Sequence, residues 1–362
     1  MYKRIISLLL MIMTINVAPL QTLAQDGTMN FSVTAVIPEN QIDQTKSYFD
    51  LKMKPGQVQE LEVLMNNPLD KEVTVINHAN TAITNDNGIV DYSNANPQLD
   101  KTLNAPFSEI AEVEKEITIP AKSSKTLKVK VTMPKEELDG VILGGLHFTE
   151  KEVENPKEDG KGGVQIKNRF AFAIGVLMRE NDKFIEPELQ LGKIEPSQIN
   201  FRNTLKANIQ NTQPLIMPEV EVKSHITKKG SDQSLFEQNK QGVRMAPNSN
   251  FNFGIDWENQ EFKSGKYTLH MTVFNGKDKW EWNKDFEITQ KEAEKLNDKA
   301  VELEVDNTKW YIFGAIAGVL LLMVIVFILG QYVMKRKQKK RRIENRRKRK
   351  KKQNTVNKKK QE

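Results

Sequence analysis

Four histidines, His78, His147, His225 and His270, and no cysteine are the whole supply of imidazole and thiolate metal ligands in this 362-residue chain. Neighbouring histidines are 45 residues or more apart, which matches none of the short spacings that build zinc sites. A thiolate nucleophile is excluded, and no G-x-S-x-G, S-x-x-K or H-E-x-x-H run occurs. The chain is therefore read as a non-enzyme with no cofactor and no metal. His270 falls between Leu269 and Met271 and so points to solvent from a strand. His147 sits in the apolar run LGGLHF, where a satisfied, partly buried imidazole is the simpler reading than a ligand.

The richest polar chemistry lies in HANTAITNDNGIVDYSNAN, residues 78–96. Its amides, two carboxylates and one phenol suit the hydroxyl and N-acetyl groups of a glycan, and binding residues often occupy loops on a rigid scaffold. His78, Asn80, Asn85, Asn87, Asp91 and Tyr92 are the candidate glycan ligands. A merely solvated loop is the plainer alternative. Trp280-Glu281-Trp282 resembles a sugar-stacking platform, yet both rings share a face with Phe286 and Ile288 by period-two counting. Core packing is favoured there, and for Trp257 beside Phe251-Phe253-Ile255.

The elements that must hold these residues are strands. Leu127, Val129, Val131 and Met133 alternate with Lys128, Lys130 and Thr132 up to Pro134, the pattern of a half-buried strand. Runs around Phe31, Phe49, Leu61, Val73, Ile117 and Val141 behave alike, with turn clusters such as Asn66-Asn67-Pro68 and Asp86-Asn87-Gly88 between them. The fold expected is all-β in the exported part, two immunoglobulin-like β-sandwich domains in tandem. The first spans residues 25–185 and the second 186–290. The Phe170–Met178 strand could belong to either. Pairing with Gly144-Gly145 around the polar 149–163 insertion favours the first. Asn275-Gly276 reads as a type I′ hairpin turn in the second domain.

Both ends carry address signals. Lys3 and Arg4, an apolar stretch to Leu20 and Thr22-Leu23-Ala24 form the pattern of a signal peptide over residues 1–24. Residues 291–309 read as a helical stalk, 310–334 as a transmembrane helix and 335–362 as a basic cytoplasmic tail. Trp310 to Gly330 is apolar throughout, and roughly 20 such residues cross a bilayer core. The tail holds 17 Lys and Arg against two Glu, which places it inside the cell. It accounts for +15 and the signal segment for +2 of the chain's net +7, so the rest sums to −10. Anionic lipid headgroups suit the tail. Nucleic acid is disfavoured, because no aromatic residue interleaves with its charges. The lack of cysteine in an exported chain points to a bacterial surface protein.

In order of parts and in local sequence, the chain resembles the WxL-interacting proteins of Gram-positive bacteria. The resemblance rests on NFSVTAVIPENQ, NPLDKEVTVINHANTAITNDNGIVDY, DGVILGGLHF, AFAIGVLMRE and the closing helix with its basic tail. It implies an N-terminal peptidoglycan-binding domain, a C-terminal host-binding domain, WxL-domain surface proteins as partners, and host extracellular-matrix or plasma proteins. No Trp-x-Leu occurs in this chain, which fits the partner's role. Two functions compete: an adhesion scaffold anchored in the cell membrane, and a transmembrane sensor of the envelope signalling through its tail. The shortness and charge of the tail weigh against the sensor.

Overall fold

The structure, a computed structural model, describes residues 30–151, 170–304 and 308–358. The expected signal peptide and most of the 149–163 insertion lie outside the described residues. One unit ends at Val301, and a second begins at Glu302.

The first sandwich is built from β1 (Ser32–Val36), β2 (Phe49–Lys52), β3 (Val58–Asn67), β4 (Val73–Thr81), β7 (Ala111–Val113), β8 (Glu116–Ile119), β9 (Ser123–Thr132), β10 (Val141–Glu150) and β11 (Ala171–Arg179). Its sheets have the orders β1-β3-β9-β7 and β2-β11-β10-β4-β8, with β2 and β11 parallel and the other pairs antiparallel. Alternation decides which face is buried: Leu61, Val63 and Met65 of β3 and Leu127, Val129 and Val131 of β9 turn inward. They meet Phe49, Leu51, Val75, Leu146, Phe148, Val176 and Met178 of the opposing sheet. The Phe172–Met178 run pairs with Ile142–Phe148, so β11 closes the first sandwich.

The second sandwich stacks β12 (Leu189–Ile199), β13 (Arg202–Asn211) and β16 (Ser249–Asp256) on β14 (Met217–Lys228), β15 (Ser234–Met245), β17 (Gly265–Asn275) and β18 (Asp278–Ile288). Trp257, 2% exposed, fills the centre of its core, against Phe236, Phe262 and Tyr267. Trp280 and Trp282 pack against the same core, as the period-two count predicts. The β17–β18 turn differs from expectation. Asn275 pairs with Asp278, which leaves Gly276 and Lys277 as the two loop residues. Gly276 has φ +62° and Lys277 does not enter the left-handed region. Glycine at the first loop position is the type II′ arrangement, and the loop lies one residue later than Asn-Gly implies.

A fully buried asparagine repeats in both sandwiches. Asn67, at the end of β3, donates to the carbonyls of Lys71, Ile119 and Pro120 and accepts from Leu69 N. Asn211, at the end of β13, donates to Leu215 and Ala246 and accepts from Gln213 N. Each amide satisfies the carbonyls exposed where the chain changes sheet, groups that burial would otherwise leave unpaired.

The Ala-, Glu- and Leu-rich segment expected as a stalk forms a helix over Gln290–Asn297, started by a capping box between Thr289 and Glu292. Ala293 is buried and Leu296 packs on the second core. Asn297 holds Phe262 through both of its amide atoms, and Val301 N donates to Phe201 O at 2.9 Å. This helix is thus part of the second domain's surface. In the second unit, a continuous helix runs over Thr308–Lys358, and its stretch from Trp310 is long and apolar enough to cross a membrane.

Candidate functional site

The amide-rich segment leaves β4, crosses the outer face of the β2-β11-β10-β4-β8 sheet and carries a small ladder, β5 (Ile83–Thr84) with β6 (Val90–Asp91). Two adjacent glycines in β10 make room for it. A Cβ on Gly145 would meet the Tyr92 ring at 2.6 Å, and one on Gly144 would meet Phe107 at 2.1 Å from the core side. Phe107 opens a short helix, α1 (Phe107–Ile110), and is fully buried. The glycine pair therefore accepts one aromatic ring on each face of the sheet. Adjacent glycines inside an apolar strand mark such close approaches.

Each candidate ligand can be placed. His78 and His147 are cross-strand partners on β4 and β10, side by side on the outer face and half-buried. Burial lowers the His147 pKa, the neighbouring His78 lowers it further, and Asp91 only partly opposes them. Burial pushes the Asp91 carboxyl up, but hydrogen bonds from Ser93 and Asn85 and the nearby His147 bring it below the ordinary carboxylate value. Tyr92 is raised by burial, with Arg244 of the second domain opposing that shift. Asn80, 2% exposed, donates its amide to Tyr92 O at 2.8 Å. The Asn85 side-chain carbonyl accepts from Asn87 N and Ile89 N, which fixes the tight turn. Asn80 and Asn85 are thus occupied inside the segment. Asn87 is exposed, and His78, Asp91 and Tyr92 are half-exposed on one surface.

The other side of the segment grips the second domain, a contact that sequence reasoning missed. Thr84 Oγ1 lies 2.6 Å from Ser249 Oγ and accepts from Ala246 N at 2.9 Å. Asp86 accepts from Asn252 N at 3.0 Å and pairs with Lys206 at 3.1 Å. Arg244 N donates to Gly88 O at 2.8 Å, and Asp100 accepts from Gln210 and Asn250. A Cβ on Gly88, where φ is +67°, would meet Val243 at 2.9 Å. Ala82, Leu143 and Ala246 form a separate apolar cluster at this seam, with Tyr92, Leu177 and Ile216 around it. Nothing local in the sequence signals these contacts, since the partners are more than a hundred residues apart.

The second domain presents its own polar surface. Register aligns Glu237, His225, His270 and Asn283 in one row across β15, β14, β17 and β18. The row lies in an open groove of about 390 Å³ that Lys223, Asn239, Thr272 and Glu281 also line. The two imidazoles stack at 4.5 Å, and burial, then His270, lowers the His225 pKa. His270 Nδ1 lies 2.7 Å from Asn283 Oδ1, and the ring is half-buried on the strand face opposite Leu269 and Met271. Among the described residues no group of three His, Cys, Asp or Glu could hold a metal ion.

Two β-sandwiches in tandem, each with a polar outer face, define the architecture, and comparison with known proteins gives the family. Residues 31–150 match the WxL-interacting protein peptidoglycan-binding domain, and residues 161–298 match the WxL-interacting protein host-binding domain. The chain belongs to the WxL-interacting protein family. The second match begins before β11, which hydrogen bonding assigns to the first sandwich; pairing decides the strand's allegiance. No curated protein matches the chain. Solved structures similar to it include a CFA/I fimbrial chaperone–tip adhesin complex, at 13% identity and TM-score 0.30, covering 76% of this chain and 99% of that one. The class 5 fimbriae chaperone CfaA is similar at 11% identity and TM-score 0.29, covering 70% and 99%. The Acinetobacter baumannii CsuC–CsuE pre-assembly complex gives 13% and 0.31, covering 72% and 99%. These are likenesses of fold alone.

Proposed function

We propose that this chain is a surface adhesion scaffold anchored in the cell membrane, with no catalytic activity of its own. The first sandwich holds peptidoglycan. The second holds a host matrix or plasma protein, and WxL-domain surface proteins assemble on the pair. The tandem of the two matched domains, followed by an apolar helix and a basic tail, is the observation that carries this reading. The exported part faces the wall, the C-terminus lies in the cytoplasm, and the tail rests on anionic lipid headgroups.

Within the first domain the glycan patch is the outer surface formed by His78, Asn87, Asp91 and Tyr92, shaped from within by Asn80 and Asn85. Neutral sugars are held there by hydrogen bonds from imidazole, amide and phenol. The test is co-sedimentation of the full chain, in detergent, with purified peptidoglycan. His78→Ala, Asn87→Ala and Tyr92→Phe combined should reduce sedimentation with an unchanged far-UV circular dichroism spectrum. Unaltered sedimentation of this variant rejects the patch, and failure of the parent chain to sediment rejects the assignment of peptidoglycan to the domain.

A further inference from the structure

The hairpin between β12 and β13 breaks a local rule. Its two loop residues, Asn200 and Phe201, have φ of 51° and 61°, the type I′ geometry that favours glycine at the second position. A phenylalanine there adopts a left-handed backbone that costs an L-residue energy, and strain of this kind is retained where the side chain has a task. The ring makes no core contact: Phe201 is 64% exposed, beside Ile199 at 41% and Val301 at 46%.

The place of this hairpin supplies the occupant. Gln198 donates to Leu296 O, Asn203 donates to Asn297, and Val301 N donates to Phe201 O. The domain's C-terminal helix and the turn that leaves it are thus pinned to this hairpin by three hydrogen bonds, one of them at its tip. Only residues 302–309 separate Val301 from Trp310, where the apolar stretch begins with a Trp-Tyr pair of the type that sits at membrane interfaces. Even fully extended, that link spans at most roughly 30 Å. Such a short tether gives the tip a high effective concentration at the lipid surface, so a contact too weak to recruit a free protein is still populated.

We infer that Ile199, Phe201 and Val301 form a lipid-contacting tip, with Phe201 inserted at the outer interface of the membrane that anchors the chain. The inference rests on the anchored reading above. Apolar insertion, not charge, is the binding chemistry, because the three exposed side chains Ile199, Phe201 and Val301 are all hydrocarbon.

The absence of cysteine makes the test direct. The full chain is reconstituted into phosphatidylcholine–phosphatidylglycerol vesicles with an environment-sensitive fluorophore on Asn200→Cys, or on Lys277→Cys at the opposite end of the β17–β18 hairpin. The label at position 200 should be quenched by nitroxide-bearing lipid, and the label at 277 should not. Adding Phe201→Gly should abolish the quenching while raising the thermal midpoint, because glycine relieves the left-handed backbone. Loss of contact then cannot be ascribed to unfolding. Vesicle flotation that resists carbonate reports the anchor separately. A chain that floats with no excess quenching at 200 overturns the tip and leaves the anchor standing. A label at 200 shielded from aqueous iodide yet untouched by lipid nitroxide identifies a protein occupant, such as a second copy, and also overturns it. A chain that does not float removes the anchored reading and this inference with it.

Discussion

At the residue scale, glycines and histidines carry the sharpest expectations. Gly144 and Gly145 are needed for space, not for backbone freedom, since an aromatic ring lies against each. Phe107, fully buried, cannot retreat, and the half-buried Tyr92 ring lies directly over Gly145 with its backbone held by Asn80. Overfilling a closed site of this kind costs about 1–3 kcal/mol. Gly145→Ala should therefore lower stability in urea unfolding by that amount, and the pair of variants Gly145→Ala and Gly145→Ala/Tyr92→Ala should differ less than wild type and Tyr92→Ala do. The histidines set a pH dependence. Both His147 and His225 have pKa values below the ordinary 6.5, because burial and a neighbouring imidazole disfavour the charged ring. The fold accepts the neutral form, so their contribution is whole above 6.5 and is lost as pH falls from 6.5 through the depressed folded values. Asp91 beside the first and Glu237 beside the second oppose the shift without cancelling it. The thermal midpoint should fall between pH 7 and 5, and His147→Gln/His225→Gln should flatten that slope. An unchanged slope would remove both residues from the account.

At the element scale, the segment from Ala82 to Asp100 does two jobs, covering the outer sheet face and holding the second domain. Its charged acceptors carry the seam: Asp86 on Asn252 and Lys206, Asp100 on Gln210 and Asn250. Burial alone would raise the Asp100 pKa, but hydrogen bonds from Thr102, Asn250 and Gln210 pull it below 3.8. A hydrogen bond to a charged group is worth about 1.5–3 kcal/mol, less where water competes, as it does at half-exposed Asp86. Asp86→Ala/Asp100→Ala should split a single urea transition of the full chain into two and open new protease sites in residues 180–188. A single transition with the parent midpoint would show that the seam contributes nothing. The strands were legible because period-two alternation is local: Leu61-Val63-Met65 and Tyr267-Leu269-Met271-Val273 declare their buried faces without any partner. The allegiance of β11 stayed open in the sequence, because an apolar run after a polar insertion can pair with strands on either side; its hydrogen bonds to β10 place it in the first sandwich. The seam was not legible, because Asn-rich composition reads alike whether its amides face solvent or close a turn as Asn85 does. The hairpin at Asn275 was found but misplaced by one residue, since only the cross-strand register tells which side of Gly276 the loop lies on.

At the scale of the whole molecule, charge divides the work. A chain of net +7 is a compound of a strongly basic tail and an acidic remainder, so its two proposed attachments obey different physics. The outer faces of the sandwiches intermix signs, as in the Lys128 pairing with Glu60 and Glu62 and the Lys229–Asp285 pair. Such surfaces have little long-range field, and a neutral glycan must be held by short hydrogen bonds that salt scarcely touches. The tail has no acid beyond Glu344 and Glu362 to offset its 17 cations, and each cation near an anionic surface contributes about 1 kcal/mol at low salt. That attraction fades as the Debye length falls from about 10 Å at 0.1 M to about 3 Å at 1 M. Peptidoglycan sedimentation by the full chain should therefore persist from 0.1 to 1 M salt, whereas a peptide of residues 335–362 should leave phosphatidylglycerol vesicles over the same range. Salt-sensitive sedimentation would mean that the wall is read through anionic polymer and not through neutral sugar, and would move the site away from His78 and Tyr92 towards lysine-rich faces. Retention of the peptide at 1 M would mean that the tail holds lipid by something other than charge.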